Sequence, residues 1–94
     1  MKKTLKDYIP ASTIKEVEKV LRFGEKKHGE AWKDDSMHHH LTHVYLHLEH
    51  PGVLDKETDC DNIAHAICRL LFALSIEIKL EKEVLKCLNK EKNV

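Results

Sequence analysis

The sequence predicts an all-α domain in which two short helices pack on a long C-terminal third helix. Three observations predict it. Pro10, Gly29 and Pro51-Gly52 punctuate the chain at only three places. Between these breakers, apolar residues recur at three- and four-residue steps. After the last one, an apolar stripe at about 100° per residue runs for roughly thirty residues.

The first helix is expected over residues 12–28. Thr13-Ile14-Lys15-Glu16 reads as a capping box. Ile14, Val17, Leu21 and Gly24 share a face, and Gly29 suits the position just past the end. The second helix is expected over residues 36–50. Ser36 is its cap, Asp34 and Asp35 favour the positive end of its dipole, and Pro51-Gly52 stops it.

The third helix is expected over residues 59–89, capped by Thr58 or Asp59. Cys60, Ile63, Ala64, Ile67, Leu70, Leu71, Leu74, Ile78, Leu85 and Leu88 form its main apolar stripe. Thirty residues make a rod of about 45 Å, more than the first two helices can cover. The C-terminal EIKLEKEVLKCLNKEKNV is therefore expected to project and to pair with another subunit in coiled-coil fashion, making a homo-oligomer. His65, Arg69, Phe72 and Ile76 fall on the other side of this helix. Phe72 and Ile76 mark that side as a second buried surface, either a subunit interface or a ligand site.

Composition narrows the partners. Residues 1–94 make one domain. Sixteen basic and sixteen acidic side chains cancel, so no global field draws in duplex nucleic acid or an anionic membrane. No apolar run reaches the roughly 18 residues of a membrane span. MKKTLKDYIP starts like a signal peptide but lacks its apolar region, so a cytoplasmic protein is expected. Cys60, Cys68 and Cys87 are odd in number, lack CxxC spacing, and read as reduced thiols.

The second helix carries an unusual load. MHHHLTHVYLHLEHP, residues 37–51, holds six of the chain's eight histidines. On a helical wheel Met37, Leu41, Val44, Tyr45 and Leu48 make the core face. His39, His40, His43, His47 and His50 make a separate stripe, with His40 and His47 at its border with the core. The i,i+4 steps His39/His43 and His43/His47 suit a divalent metal such as zinc, and Asp55, Glu57, Asp59 and Asp61 follow as acidic co-ligands. The alternating acidic run hints at a calcium loop but departs from an EF-hand, with Cys60 at its glycine position and Ala66 at its final glutamate. Other readings remain open: a solvated face, adventitious metal binding, or hydrogen bonding to a base or phosphate.

Two segments resemble a known family. VLRFGEKKHGEAW, residues 20–32, is similar to a glycine–lysine–glycine–tryptophan pattern of small helical phage proteins. LTHVYLHLEHPGVLDKETDCDNIAHAICRLLFAL, residues 41–74, is similar to their histidine–D-x-E-[ST]–AHA–LLF pattern. Both resemble the N-terminal domain family of dATP/dGTP diphosphohydrolases. The motif positions fall on Gly24, Lys26, Lys27, Gly29 and Trp32, then on His47, Asp55, Glu57, Thr58 and His65. Leu46 stands where the family has an arginine, His28 where it has a tyrosine, Ala31 where it has an asparagine, and Asp59 where it has a glycine.

The resemblance implies a nucleotide-type ligand. Lys26, Lys27, Trp32, His43, His47, Asp55, Glu57, His65 and Arg69 are the expected ligand-binding residues, with His39, His43 and His47 as the candidate metal set. Lysines and imidazoles suit phosphate, and Trp32 can stack on a base. Related helical pyrophosphohydrolases hold magnesium with E-x-x-E on one helix and E-x-x-D on another. This chain contains no E-x-x-E. The expected function is therefore binding without cleavage, which in a phage, acting in the host cytoplasm, would sequester a nucleotide-derived immune signal. The alternatives are a purine deoxynucleotide pyrophosphohydrolase using zinc or magnesium, and a helical adaptor.

Overall fold

A computed structural model describes residues 2–50, 52–56 and 60–92. It contains α1 (Leu5–Tyr8), α2 (Ala11–His28), a 3-10 turn (Ala31–Lys33), α3 (Met37–Leu48) and α4 (Asn62–Lys92). Among the described residues the only non-helical pairing is one antiparallel bridge between Leu54 and Asp61. The three expected helices are present, and a one-turn helix precedes them. In α1 the Thr4 N–H and hydroxyl both donate to the Asp7 carboxylate, at 2.7 and 3.2 Å.

The helix starts differ from expectation in an instructive way. α2 begins at Ala11 after Pro10, whose fixed φ of −55° suits a helix entry, so Thr13 lies inside the helix instead of capping it. Ser36 does cap α3, accepting from the His39 N–H at 3.1 Å. α4 begins at Asn62 and is capped by Asp61, whose carboxylate accepts from the Ile63 N–H at 2.7 Å. Thr58 and Asp59, the expected caps, lie outside the described residues. Gly29 follows α2 with φ at +61°, a conformation that side chains with a Cβ rarely adopt.

α4 is the spine of the fold. α3 packs along it closely and α2 less so, both on its N-terminal half. The α2 contact is a small cluster of Val20, Cys60, Ala64 and Cys68, flanked by Val17 and Leu21. Cys68 also donates to the Val17 carbonyl at 3.5 Å. Burial pushes its thiol pKa up to about 11, so it stays a protonated donor. The Glu16 carboxylate receives the Asp61 N–H and ties α2 to the start of α4.

The buried apolar residues are Val20, Val44, Cys60, Ala64, Ala66, Cys68 and Ala73. None is larger than valine, and small side chains let helix axes approach closely. The expected main stripe of α4 is therefore not the core. Ile63, Leu70, Leu71, Leu74, Ile78, Leu85 and Leu88 are exposed, and only Cys60 and Ala64 of the stripe are buried. The side carrying His65, Arg69, Phe72 and Ile76 turns inward and is at least half-buried. On α3, Tyr45 and Leu48 are exposed and His40 is completely buried, so the core face is rotated toward the histidines. Hydrogen bonds linking His40 to Trp32 and Arg69 make that rotation tolerable.

Candidate functional site

α2 and α3 diverge over α4 and leave a cleft of about 1140 Å3 between them. Phe23, Lys27 and His28 from α2 and Trp32 from the 3-10 turn form one side. His39, His43 and His47 from α3 form the other. His65, Arg69 and Phe72 from α4 lie along the floor, with Asp55 from the α3–α4 connection.

His40 organises the inner end. Its Nδ1 lies 3.0 Å from the Arg69 guanidinium, and its Nε2 lies 3.0 Å from the Trp32 carbonyl. Guanidinium only donates and carbonyl only accepts, so His40 accepts at Nδ1 and carries its proton on Nε2. This one side chain thus aims Arg69 into the cleft and fixes the turn that holds Trp32. Trp32 stacks on Phe72 at 4.6 Å with an 11° interplanar angle, and His40 leans on the same ring at 5.5 Å. Burial lowers the Arg69 pKa, and the neighbouring Asp35 carboxylate works in the opposite direction.

Asn62 organises the outer end. Its amide nitrogen donates to the His50 and Val53 carbonyls, at 3.3 and 2.9 Å. Its oxygen faces His47 Nδ1 at 3.0 Å, which makes that nitrogen the donor. His47 Nε2 is the ring nitrogen this bond leaves uncommitted. His47 also stacks face to face on His65, at 4.6 Å and 9°. Burial, then His47, lowers the His65 pKa, against an opposing pull from Asp55. Burial lowers the His43 pKa as well, helped by Arg69 and by His39, His47 and His40. Both rings are therefore biased toward the neutral form, able to donate from one nitrogen and accept at the other.

The model of the family described as dATP/dGTP diphosphohydrolase, N-terminal, matches residues 1–85. The chain belongs to this family. No curated protein and no solved structure shows a significant match to it. The family's motif positions Gly24, Lys27, Gly29, Trp32, His47, Asp55 and His65 come together around the cleft. Lys26 does not line it, because one step along a helix turns a side chain by about 100°. Glu57 and Thr58 lie outside the described residues. Leu46, at the family's arginine position, is exposed beside the cleft. Arg69, one turn past His65 on α4, is the guanidinium that the cleft does contain.

The i,i+4 spacing of the stripe makes His39, His43 and His47 the candidate metal set. Among the described residues no three His, Cys, Asp or Glu side chains converge on one point. The physical reason is axial spacing. Eight helical residues rise about 12 Å, too far for the outer two rings to meet one cation. The stripe instead divides. His39 turns to His43 at 4.7 Å and to Asp35 at 3.8 Å, whereas His47 turns to His65 and Asn62.

Two organising residues were not among the expected ligand contacts. His40 carried a signal, since its wheel position bordered the core face. Asn62 carried none, because an asparagine at a helix start reads as a cap.

Proposed function

We propose that the cleft binds a purine nucleotide and holds it without cleaving it. The observation that carries this reading is one concave surface that joins apolar rings to directed nitrogen donors. Phe23, Trp32 and Phe72 supply the apolar wall, where a base can lie against flat side chains. Arg69, aimed by His40, and His47, aimed by Asn62, supply fixed donors for phosphate oxygens. Lys27 adds charge at the rim, and His43 and His65 donate or accept between them. Asp55 lines the same cleft and would accept from a ribose hydroxyl. The family's name supports a purine deoxynucleotide as the ligand class. The lack of an E-x-x-E motif supports retention over hydrolysis. Holding a nucleotide tightly would let the protein sequester a nucleotide signal, as a phage-encoded counter to host defence would.

The test is to incubate the protein, purified without a histidine tag, with dATP, dGTP, cyclic ADP-riboses and cyclic dinucleotides. It is then freed of unbound ligand and denatured, and the released compounds are analysed. Recovery of an intact purine nucleotide is expected. Conversion to a monophosphate and pyrophosphate would assign hydrolysis instead, and no retained nucleotide would leave a helical adaptor.

A further inference from the structure

We infer that the outer face of α4 is the seam of an antiparallel homodimer. Seven large apolar residues on this side of α4, Ile63, Leu70, Leu71, Leu74, Ile78, Leu85 and Leu88, are 42 to 57 % exposed, although no buried apolar residue is larger than valine. Such a face offers roughly 600 Å2 per copy, one side of a small stable interface and as much as the largest patch of an ordinary monomer. From residue 77 to residue 89 every position of α4 is exposed. A bare apolar helix of this length gains most from another helix.

The spacing identifies that helix as a second copy. Leu71, Leu74, Ile78, Glu81, Leu85 and Leu88 alternate steps of three and four, the a/d repeat of a coiled coil. The repeat is in register with itself in two ways, and Glu81 decides between them. In a parallel pair Glu81 sits opposite its own copy, two carboxylates facing each other inside the seam. The parallel pair also sets Glu77 beside Lys82 of the second copy, but that contact lies on the wet rim and is screened. An antiparallel pair sets Glu81 against Ile78 instead. It also places Leu71 against Leu88 and Leu74 against Leu85. Each bare C-terminal half then lies along the outer face of the other copy's packed half, so both exposed stretches are covered. This face is remote from the cleft, whose lining from α4 comes from His65, Cys68, Arg69 and Phe72 on the other side.

Sedimentation equilibrium from submicromolar to about 100 micromolar protein tests the proposal. A dimer is expected that dissociates on dilution. Leu74→Asp and, independently, Leu85→Asp should each weaken it at least a hundredfold while far-UV circular dichroism of the dilute protein stays unchanged. Both residues are about half exposed in the single chain, so neither change disturbs its own fold. A wild-type monomer throughout, or an oligomer that survives both substitutions, overturns the proposal. Orientation is read from Leu74→Cys and Leu85→Cys variants made with Cys87→Ser. Under mild oxidation a disulfide is expected only when the two variants are mixed. Self-linking of each variant alone overturns the antiparallel seam.

Discussion

The two sides of α4 invert the usual relation between polarity and burial. The inner side carries His65, Arg69 and Phe72 among alanines and cysteines, and it is where α2 and α3 pack. The outer side carries the leucines and is wet in the single chain. The difference teaches that apolar content alone does not select a helix's packed face. Small residues give close approach, and a buried polar group is admitted where each polar atom finds a partner. His40 and Asn62 meet that condition on opposite flanks of the inner side. Among the described residues no buried side-chain nitrogen or oxygen lacks a hydrogen bond.

The largest test of this contrast is Phe72→Ala, which removes the ring shared by Trp32 and His40. A loss of about 2–4 kcal/mol is expected in urea unfolding followed by Trp32 fluorescence. Ala73→Leu beside it should cost about 1–3 kcal/mol by crowding α3. Leu74→Ala, one residue further and on the outer side, should leave the unfolding of dilute protein within roughly 0.5 kcal/mol. If the three rank differently, the inner side is not the core.

His40→Ala strands both Arg69 and the Trp32 carbonyl, and should cost about 1–3 kcal/mol by chemical denaturation. It should also weaken nucleotide binding, since Arg69 loses its aim. His47→Ala separates site from scaffold. Nucleotide affinity by calorimetry should fall roughly tenfold to a hundredfold, the worth of one charge-assisted hydrogen bond, beside a stability loss of about 1 kcal/mol from the stranded Asn62 oxygen. If only Tm moves, His47 is a packing residue.

Acidification gives a smaller effect of defined sign. His43 and His65 have folded-state pKa values below the ordinary 6.5. The unfolded chain therefore takes up protons first. Their contribution to stability is complete above about pH 6.5, declines as pH falls through it, and levels off below the lowered folded values. A urea midpoint that stays flat between pH 7.5 and 5 would show that burial does not hold these rings neutral. The smallest effect belongs to Lys26→Ala. It should leave nucleotide affinity unchanged within twofold, whereas Lys27→Ala weakens it by severalfold in a salt-dependent way.

Much of this was legible in local pattern. The three helices, the Ser36 cap and the end of α2 at Gly29 rest on short-range rules, where a residue acts on neighbours within a turn. The family motifs located the cleft through Trp32, His47, Asp55 and His65 for the same reason, since each stands in a recognisable local string. Asn62 escaped notice because its importance comes from His47, fifteen residues away. The division of the stripe into two pairs rests on geometry that a wheel hides. A wheel reports angle and discards the rise along the axis.

By itself the sequence determined that the chain is helical, where its breakers lie and which residue types cluster. Those depend on backbone preferences and on periodicity, which neighbours settle among themselves. Only the tertiary structure decided which side of α4 faces inward, and that His40 rather than Tyr45 is buried. That choice rests on whether helices can approach and whether buried nitrogens find partners, and both conditions join residues far apart in the chain.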